Sequence, residues 1–97
     1  MNYSVLFHKR AEIELLESQK WYAERSLKAN EKFIEEILYS INLIKRNPLL
    51  FPIVFDNKRK INLKNFPFSV IYSIHNHKIF VISVFHHSRN PGIWRQQ

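Results

Sequence analysis

Residues 58–94 read KRKINLKNFPFSVIYSIHNHKIFVISVFHHSRNPGIW, and they divide into three successive strands. In 58–65, Ile61 and Leu63 alternate with Lys60, Asn62 and Lys64, the period-two pattern of a half-buried strand. Asn65-Phe66-Pro67 then turns the chain. In 68–75, Phe68, Val70, Tyr72 and Ile74 oppose Ser69, Ile71, Ser73 and His75. Asn76-His77 suits a two-residue hairpin turn, because asparagine tolerates a positive φ. In 78–86, strict alternation puts Ile79, Val81, Ser83 and Phe85 on one side and Phe80, Ile82, Val84 and His86 on the other. Apolar residues on both sides predict a central strand. The tail is expected to leave the sheet at Asn90-Pro91-Gly92.

Upstream, the period changes from two to 3.6. In 9–25, Ala11, Leu15, Ser18 and Tyr22 recur at helical spacing, and Leu16 is expected to widen that stripe. Glu12, Glu14, Glu17, Lys20 and Glu24 are read as the polar remainder. Glu12, Glu14 and Glu17 also suit the positive end of a helix dipole. Trp21 and Tyr22 form an aromatic pair, of which Tyr22 is assigned to the core. Ser26 is the predicted N-cap of a second helix, 27–46. Its stripe is Phe33, Ile37, Ile41 and Ile44, with Ile34 and Leu38 beside it. Lys45 and Arg46 fit its last turn, and Asn47-Pro48 stops it, since a residue before proline avoids the α region.

Two stretches remain. Residues 2–7 predict a short strand, with Tyr3, Val5 and Phe7 on one face and Ser4 and Leu6 on the other. Residues 47–57 predict a loop with a candidate short strand at 53–55. That loop carries Leu49, Leu50, Phe51, Ile53 and Phe55. So much apolar surface either folds under the sheet or offers a site to a partner. The order β-α-α-β-β-β describes an α+β domain: an N-terminal strand, then an antiparallel helical hairpin packed on a mostly antiparallel sheet. Residues 1–97 are expected to form a single domain.

Composition narrows the function. A 97-residue chain buries roughly 60–70% of its extended surface, enough for one core but not a large enclosed cavity. There is no cysteine, which excludes a disulfide scaffold and thiolate metal sites. The N-terminus has no basic segment before an apolar run, and no apolar stretch approaches the ~20 residues of a membrane helix. The expectation is a soluble cytoplasmic protein without a membrane partner. Net charge is +7, from 15 Lys and Arg against 8 Asp and Glu. Such a field predicts an acidic partner, nucleic acid or an acidic protein segment.

The candidate site residues lie at the strand ends. Lys58, Arg59, Lys60 and Lys64 sit on and before the first of the three strands, and Arg89 and Arg95 follow the last. Adjacent strands would bring them together, as phosphate or carboxylate recognition requires. The alternative is a solvated edge on which lysines block pairing with other sheets. His86 and His87 end the last strand and point to opposite faces, so only one can enter a given cleft. Beside Arg89, an imidazole could act as general acid or base in RNA cleavage. The alternative is one histidine at the core edge and one on the surface. His75 and His77 lack a third ligand, so no metal site is expected. One glycine, Gly92, leaves no phosphate-cradling loop, and no cofactor is implied.

Several pieces together carry a resemblance. They are Trp21-Tyr22 on the first helix, Ser26 and the helix ending at Asn47-Pro48, the basic strand 58–64, Phe68-Ser69-Val70-Ile71-Tyr72, and VISVFHHSRNPGIW at 81–94. In order and spacing, over essentially the full length, the chain resembles the RelE/ParE superfamily of bacterial type II toxins. Arg89, Pro91 and Trp94 make it most similar to the ParE side, whose members are often called plasmid stabilisation proteins. The resemblance implies a toxin held inactive by a cognate acidic antitoxin. It further implies ParE-like inhibition of DNA gyrase by binding, without catalysis, or alternatively RelE-like cleavage of mRNA on the ribosome. Lys60 and Lys64 match basic positions of the RelE-like strand, and Arg89 matches the basic tail. Arg59, Lys60, Lys64, Arg89 and Trp94 are then the expected target contacts, and His86 and His87 would be catalytic only in a nuclease. Where RelE-like nucleases place a strand arginine, this chain has Ser69, which weakens the nuclease reading.

Overall fold

The computed structural model describes residues 2–89. Seven elements follow one another: β1 (Ser4–Phe7), α1 (Lys9–Arg25), α2 (Leu27–Arg46), β2 (Ile53–Phe55), β3 (Lys58–Asn62), β4 (Phe68–His75) and β5 (Lys78–His86). The strands make one five-stranded sheet in the order β1-β5-β4-β3-β2. β1 runs parallel to β5, and every other pair is antiparallel. The α+β architecture matches the sequence expectation, with the short strand at 53–55 joining as an edge. The turn at Asn90-Pro91-Gly92, Arg95 and Trp94 lie outside the described residues. Among the described residues, no helix is long and apolar enough to cross a membrane.

The helices begin where local chemistry satisfies their free amides. The Nδ1 atom of His8 accepts from the backbone N–H of Arg10 at 3.2 Å, capping α1. Ser26 serves both helices. Its N–H bonds Tyr22 O at 2.7 Å, closing α1, and its hydroxyl accepts from Ala29 N at 3.1 Å, opening α2. A single extended residue is therefore enough to join them. At the far end, Glu36 on α2 fixes the β3–β4 turn. Its carboxylate accepts from Lys64 N at 2.9 Å, Asn65 N at 3.0 Å and the Asn65 side-chain amide at 2.6 Å.

Both helices cover one face of the sheet. Their Ala11, Phe33, Ile37 and Ile44 are buried with Ile61, Val70, Tyr72, Ile79 and Val81. Tyr22, Phe33, Phe66 and Phe68 interlock, with ring centroids 5.1 Å apart for Tyr22–Phe33, Tyr22–Phe66 and Phe33–Phe68. Rings at such separations add attraction beyond the area they bury. The opposite face holds a smaller apolar group made by strands alone: Ile71, Ile82 and Phe85, with Val54 and Phe80.

Three expectations need correction. First, strict alternation along β5 fails. Tyr72 pairs with Val81 but Ile71 pairs with Ser83, so a bulge inserts Ile82 as an extra residue. Beyond it the faces exchange: Val84 joins the helix-side core and Phe85 the other face. Second, Leu16 does not widen the α1 stripe, and Leu38 does not extend that of α2. They are 64% and 58% exposed, because each lies about 100° around the helix from the core-packed residue before it, Leu15 or Ile37. Third, Glu14 is not part of the polar exterior. It is 3% exposed, among the most buried residues of α1.

Candidate functional site

A groove of about 720 Å³ runs between α1 and the end of the sheet where β4 begins and β5 stops. Trp21 and Tyr22 form its helical wall, Pro67 and Phe68 its floor, and His86 and Arg89 its far side. Trp21 is half exposed and stands edge-on to Tyr22, with 5.1 Å between ring centroids. The guanidinium of Arg25 lies 3.7 Å from the Trp21 ring centroid and donates to Trp21 O at 2.9 Å. That stack fixes the indole at the rim.

The two histidines part company here. His86 stands perpendicular to Phe68, ring centroids 4.9 Å apart, and lines the groove. Its Nδ1 accepts the backbone N–H of Ser88 at 3.1 Å and lies 2.6 Å from the Ser88 hydroxyl. An accepting Nδ1 places the neutral ring's proton on Nε2. Burial, with help from Arg89 and then His87, lowers the pKa of His86 and keeps the ring neutral near pH 7. His87 instead meets Ser69, 2.9 Å from Nε2 to Oγ. The Ser69 hydroxyl gives its one proton to Asn62 Oδ1 at 2.6 Å, so it accepts from His87 Nε2–H. Asn62 and Ser69 are paired across β3 and β4. His87 is thereby placed on the sheet side, away from the groove.

The cations do not converge on one point. Arg59 donates to Leu49 O at 3.1 Å and Phe51 O at 2.6 Å, tying down the loop after α2. Lys58 is buried, its ammonium 5.7 Å from the Phe55 ring centroid. Lys60, one residue along from Arg59, points to the other face of the strand. Lys64 is exposed beyond the end of β3, at the end of the sheet that holds the histidines. There Leu63 N bonds Phe68 O and His87 N bonds Pro67 O, both at 2.9 Å. Arg89, 41% exposed, stands 3.6 Å from Glu14. Trp94 lies outside the described residues.

Glu14 is the residue that sequence reasoning missed. Its Oε1 accepts from the Ser83 hydroxyl at 2.6 Å and from Val84 N at 3.0 Å. Among the described residues its Oε2 has no hydrogen-bond partner, and it faces Arg89. The signal was present: Glu14 stands at i+3 from Ala11 and i−4 from Ser18, on the buried stripe. A serine inside an otherwise apolar strand also needs a buried partner. Among the described residues, no group of three or more His, Asp or Glu stands close enough to hold a metal ion.

Comparison with known proteins matches a family model and several solved chains. The family model described as "ParE toxin of type II toxin-antitoxin system, parDE" matches residues 5–91. Among solved structures, a chain of the "Chromosomal ParDE TA system from P. aeruginosa" superposes with a TM-score of 0.75 at 15% identity. The alignment covers 87% of this chain and 95% of that one, a likeness of fold. No curated protein matches.

Proposed function

This chain belongs to the ParE toxin family of type II toxin–antitoxin systems, and on that premise we propose that it stops growth by binding DNA gyrase, without catalysis, until a cognate acidic antitoxin covers it. The observation that supports binding over cleavage is the dispersal of the cleavage machinery. A nuclease needs an acid/base and fixed cations around one developing phosphorane charge. Here His86 and His87 serve different faces, and Arg59 is spent on backbone carbonyls. Ser69 gives its proton to Asn62. What the geometry offers instead is a groove with an aromatic wall and Arg89 on its far side, a form suited to a protein segment. The +7 charge suits both an acidic inhibitor and an acidic target surface.

Ribosome-dependent cleavage of mRNA is the second reading. In its favour, Lys64, Ser69 and His87 occupy the same end of the sheet. Induced expression in a bacterial host separates the two. Gyrase poisoning gives filamented cells, an SOS response and continued translation, and the purified protein blocks supercoiling by gyrase. A ribosomal nuclease gives prompt loss of translation and transcripts cut at the A site. Translation arrest with uninhibited gyrase would overturn the proposal.

A further inference from the structure

The loop that joins α2 to β2 has a fixed backbone and outward-facing leucines. Its carbonyls are held one after another. Pro48 O accepts from the buried Tyr72 hydroxyl at 2.6 Å, and Leu49 O and Phe51 O accept from Arg59. Pro52 O accepts from Lys60 N at 3.1 Å, and Leu50 N donates back to Asn47 O at 3.1 Å. Phe51 turns inward and packs on the core. Yet Leu49, Leu50 and Ile53 are 65%, 67% and 56% exposed. Of the two fates open to this loop, the backbone and Phe51 take the buried one and these three side chains do not.

A rigid backbone presenting bare aliphatic side chains is pre-organised for contact, because little conformational freedom remains to be lost on binding. The charge around it selects the occupant. Residues 45–60 contain Lys45, Arg46, Lys58, Arg59 and Lys60 against Asp56, which is 5 − 1 = +4 of the chain's +7. A second copy would bring the same charge to the interface and be repelled. An acidic segment with apolar side chains would be attracted, and could order itself on the loop. We propose that Leu49, Leu50 and Ile53 anchor an acidic, aliphatic-bearing segment of the antitoxin. This inference rests on the toxin–antitoxin reading above.

The test uses the antitoxin encoded beside this gene, as a purified protein, against three forms of the toxin. These are the wild type, the triple variant Leu49→Ser, Leu50→Ser, Ile53→Ser, and a control with Leu27→Ser and Leu38→Ser on α2. Leu27 and Leu38 are as exposed as the proposed anchors. The three anchor side chains are exposed, so circular dichroism and melting temperature should be unchanged in the triple variant. The expected result is a Kd raised about 100-fold or more for the triple variant, the size of losing buried hot-spot residues. The control should stay within about threefold. Wild-type affinity should also fall with added salt. If the triple variant binds like wild type, the docking surface is elsewhere while the toxin–antitoxin reading stands. If the wild type does not bind the antitoxin, both fall. Wild-type dimers that the triple variant loses, or lost gyrase binding with antitoxin binding intact, would assign the surface to another occupant and overturn the proposal.

Discussion

Glu14 on the first helix accepts the backbone amide of Val84 at 3.0 Å, a hydrogen bond between residues 70 positions apart. The same oxygen accepts the Ser83 hydroxyl at 2.6 Å. Both donors lie immediately after the β5 bulge, where the strand's own ladder is interrupted. The buried carboxylate thus supplies the acceptor that the irregular strand lacks, and locks α1 to the central strand.

Removing it should be costly. Glu14→Ala leaves a buried N–H and a buried hydroxyl without an acceptor and should destabilise the fold by about 3 kcal/mol. Glu14→Gln keeps a side-chain oxygen for both donors and should cost roughly 1 kcal/mol. Urea unfolding of the three proteins checks this. A Glu14→Ala midpoint equal to wild type would mean the two bonds contribute nothing net.

Tyr72 gives a prediction at high pH. Its hydroxyl donates to Pro48 O, and burial pushes its pKa up to about 12 against an opposing pull from Arg59. In the unfolded chain it ionises near 10.0. Between these values the unfolded state has lost a proton that the folded state retains. Stability should therefore fall as pH rises above about 10, by about 1.4 kcal/mol per unit for one such group, and level off near 12. Tyr22, also raised by burial, adds a contribution of the same sign. Tyr72→Phe should cost about 1–2 kcal/mol at neutral pH through the orphaned carbonyl and remove most of the alkaline slope. Denaturant midpoints at pH 8, 10 and 11 measure both effects. An unchanged slope in the variant would refute the assignment.

The elements were legible because their periods are clean. Phe33, Ile37 and Ile44 mark one helical stripe, Ile61 and Leu63 one strand face, and Asn76, with φ of 57°, the predicted hairpin turn. What resisted reading was long-range. A bulge at Ile82 leaves no local trace in a strand apolar on both sides, so the exchange of Val84 and Phe85 was invisible. Glu14 resembled a dipole-favoured surface residue, because its acceptor role depends on a strand 70 positions away. The separation of Arg59 from Lys60 and Lys64 follows from strand alternation. The capture of Arg59 by two carbonyls depends on how the loop folds back over β3.

His86 offers a prediction at low pH. Its pKa lies below the ordinary 6.5 because of burial, Arg89 and His87, in that order. As pH drops through 6.5 the unfolded chain takes up a proton that the folded ring still resists. The stability His86 contributes should therefore be present above pH 6.5 and decline below it. Ring nitrogen chemical shifts should show an Nε2–H tautomer at pH 7 and a midpoint below 6.5. Ser88→Ala, which removes one of the two contacts at Nδ1, should weaken the preference for that tautomer. A His86 midpoint above 6.5 would contradict the described surroundings.

The double variant His86→Ala, His87→Ala separates a binder from a nuclease. Loss of a general acid or base costs an enzyme about 10²–10⁴-fold in rate. A toxin working through contact surface should lose far less. His86 contributes one part of the groove wall, and His87 ends in a hydrogen bond to Ser69. The double variant should keep most of its growth arrest when induced, with no transcript cleavage before or after substitution. Arg89→Ala should reduce toxicity more than the double variant does, because it removes a cation that lines the groove beside His86. Growth curves under graded induction, with immunoblots to equalise protein levels, make the comparison. A double variant that grows normally at wild-type abundance while still folded would return the histidines to the chemistry and sink the non-catalytic reading.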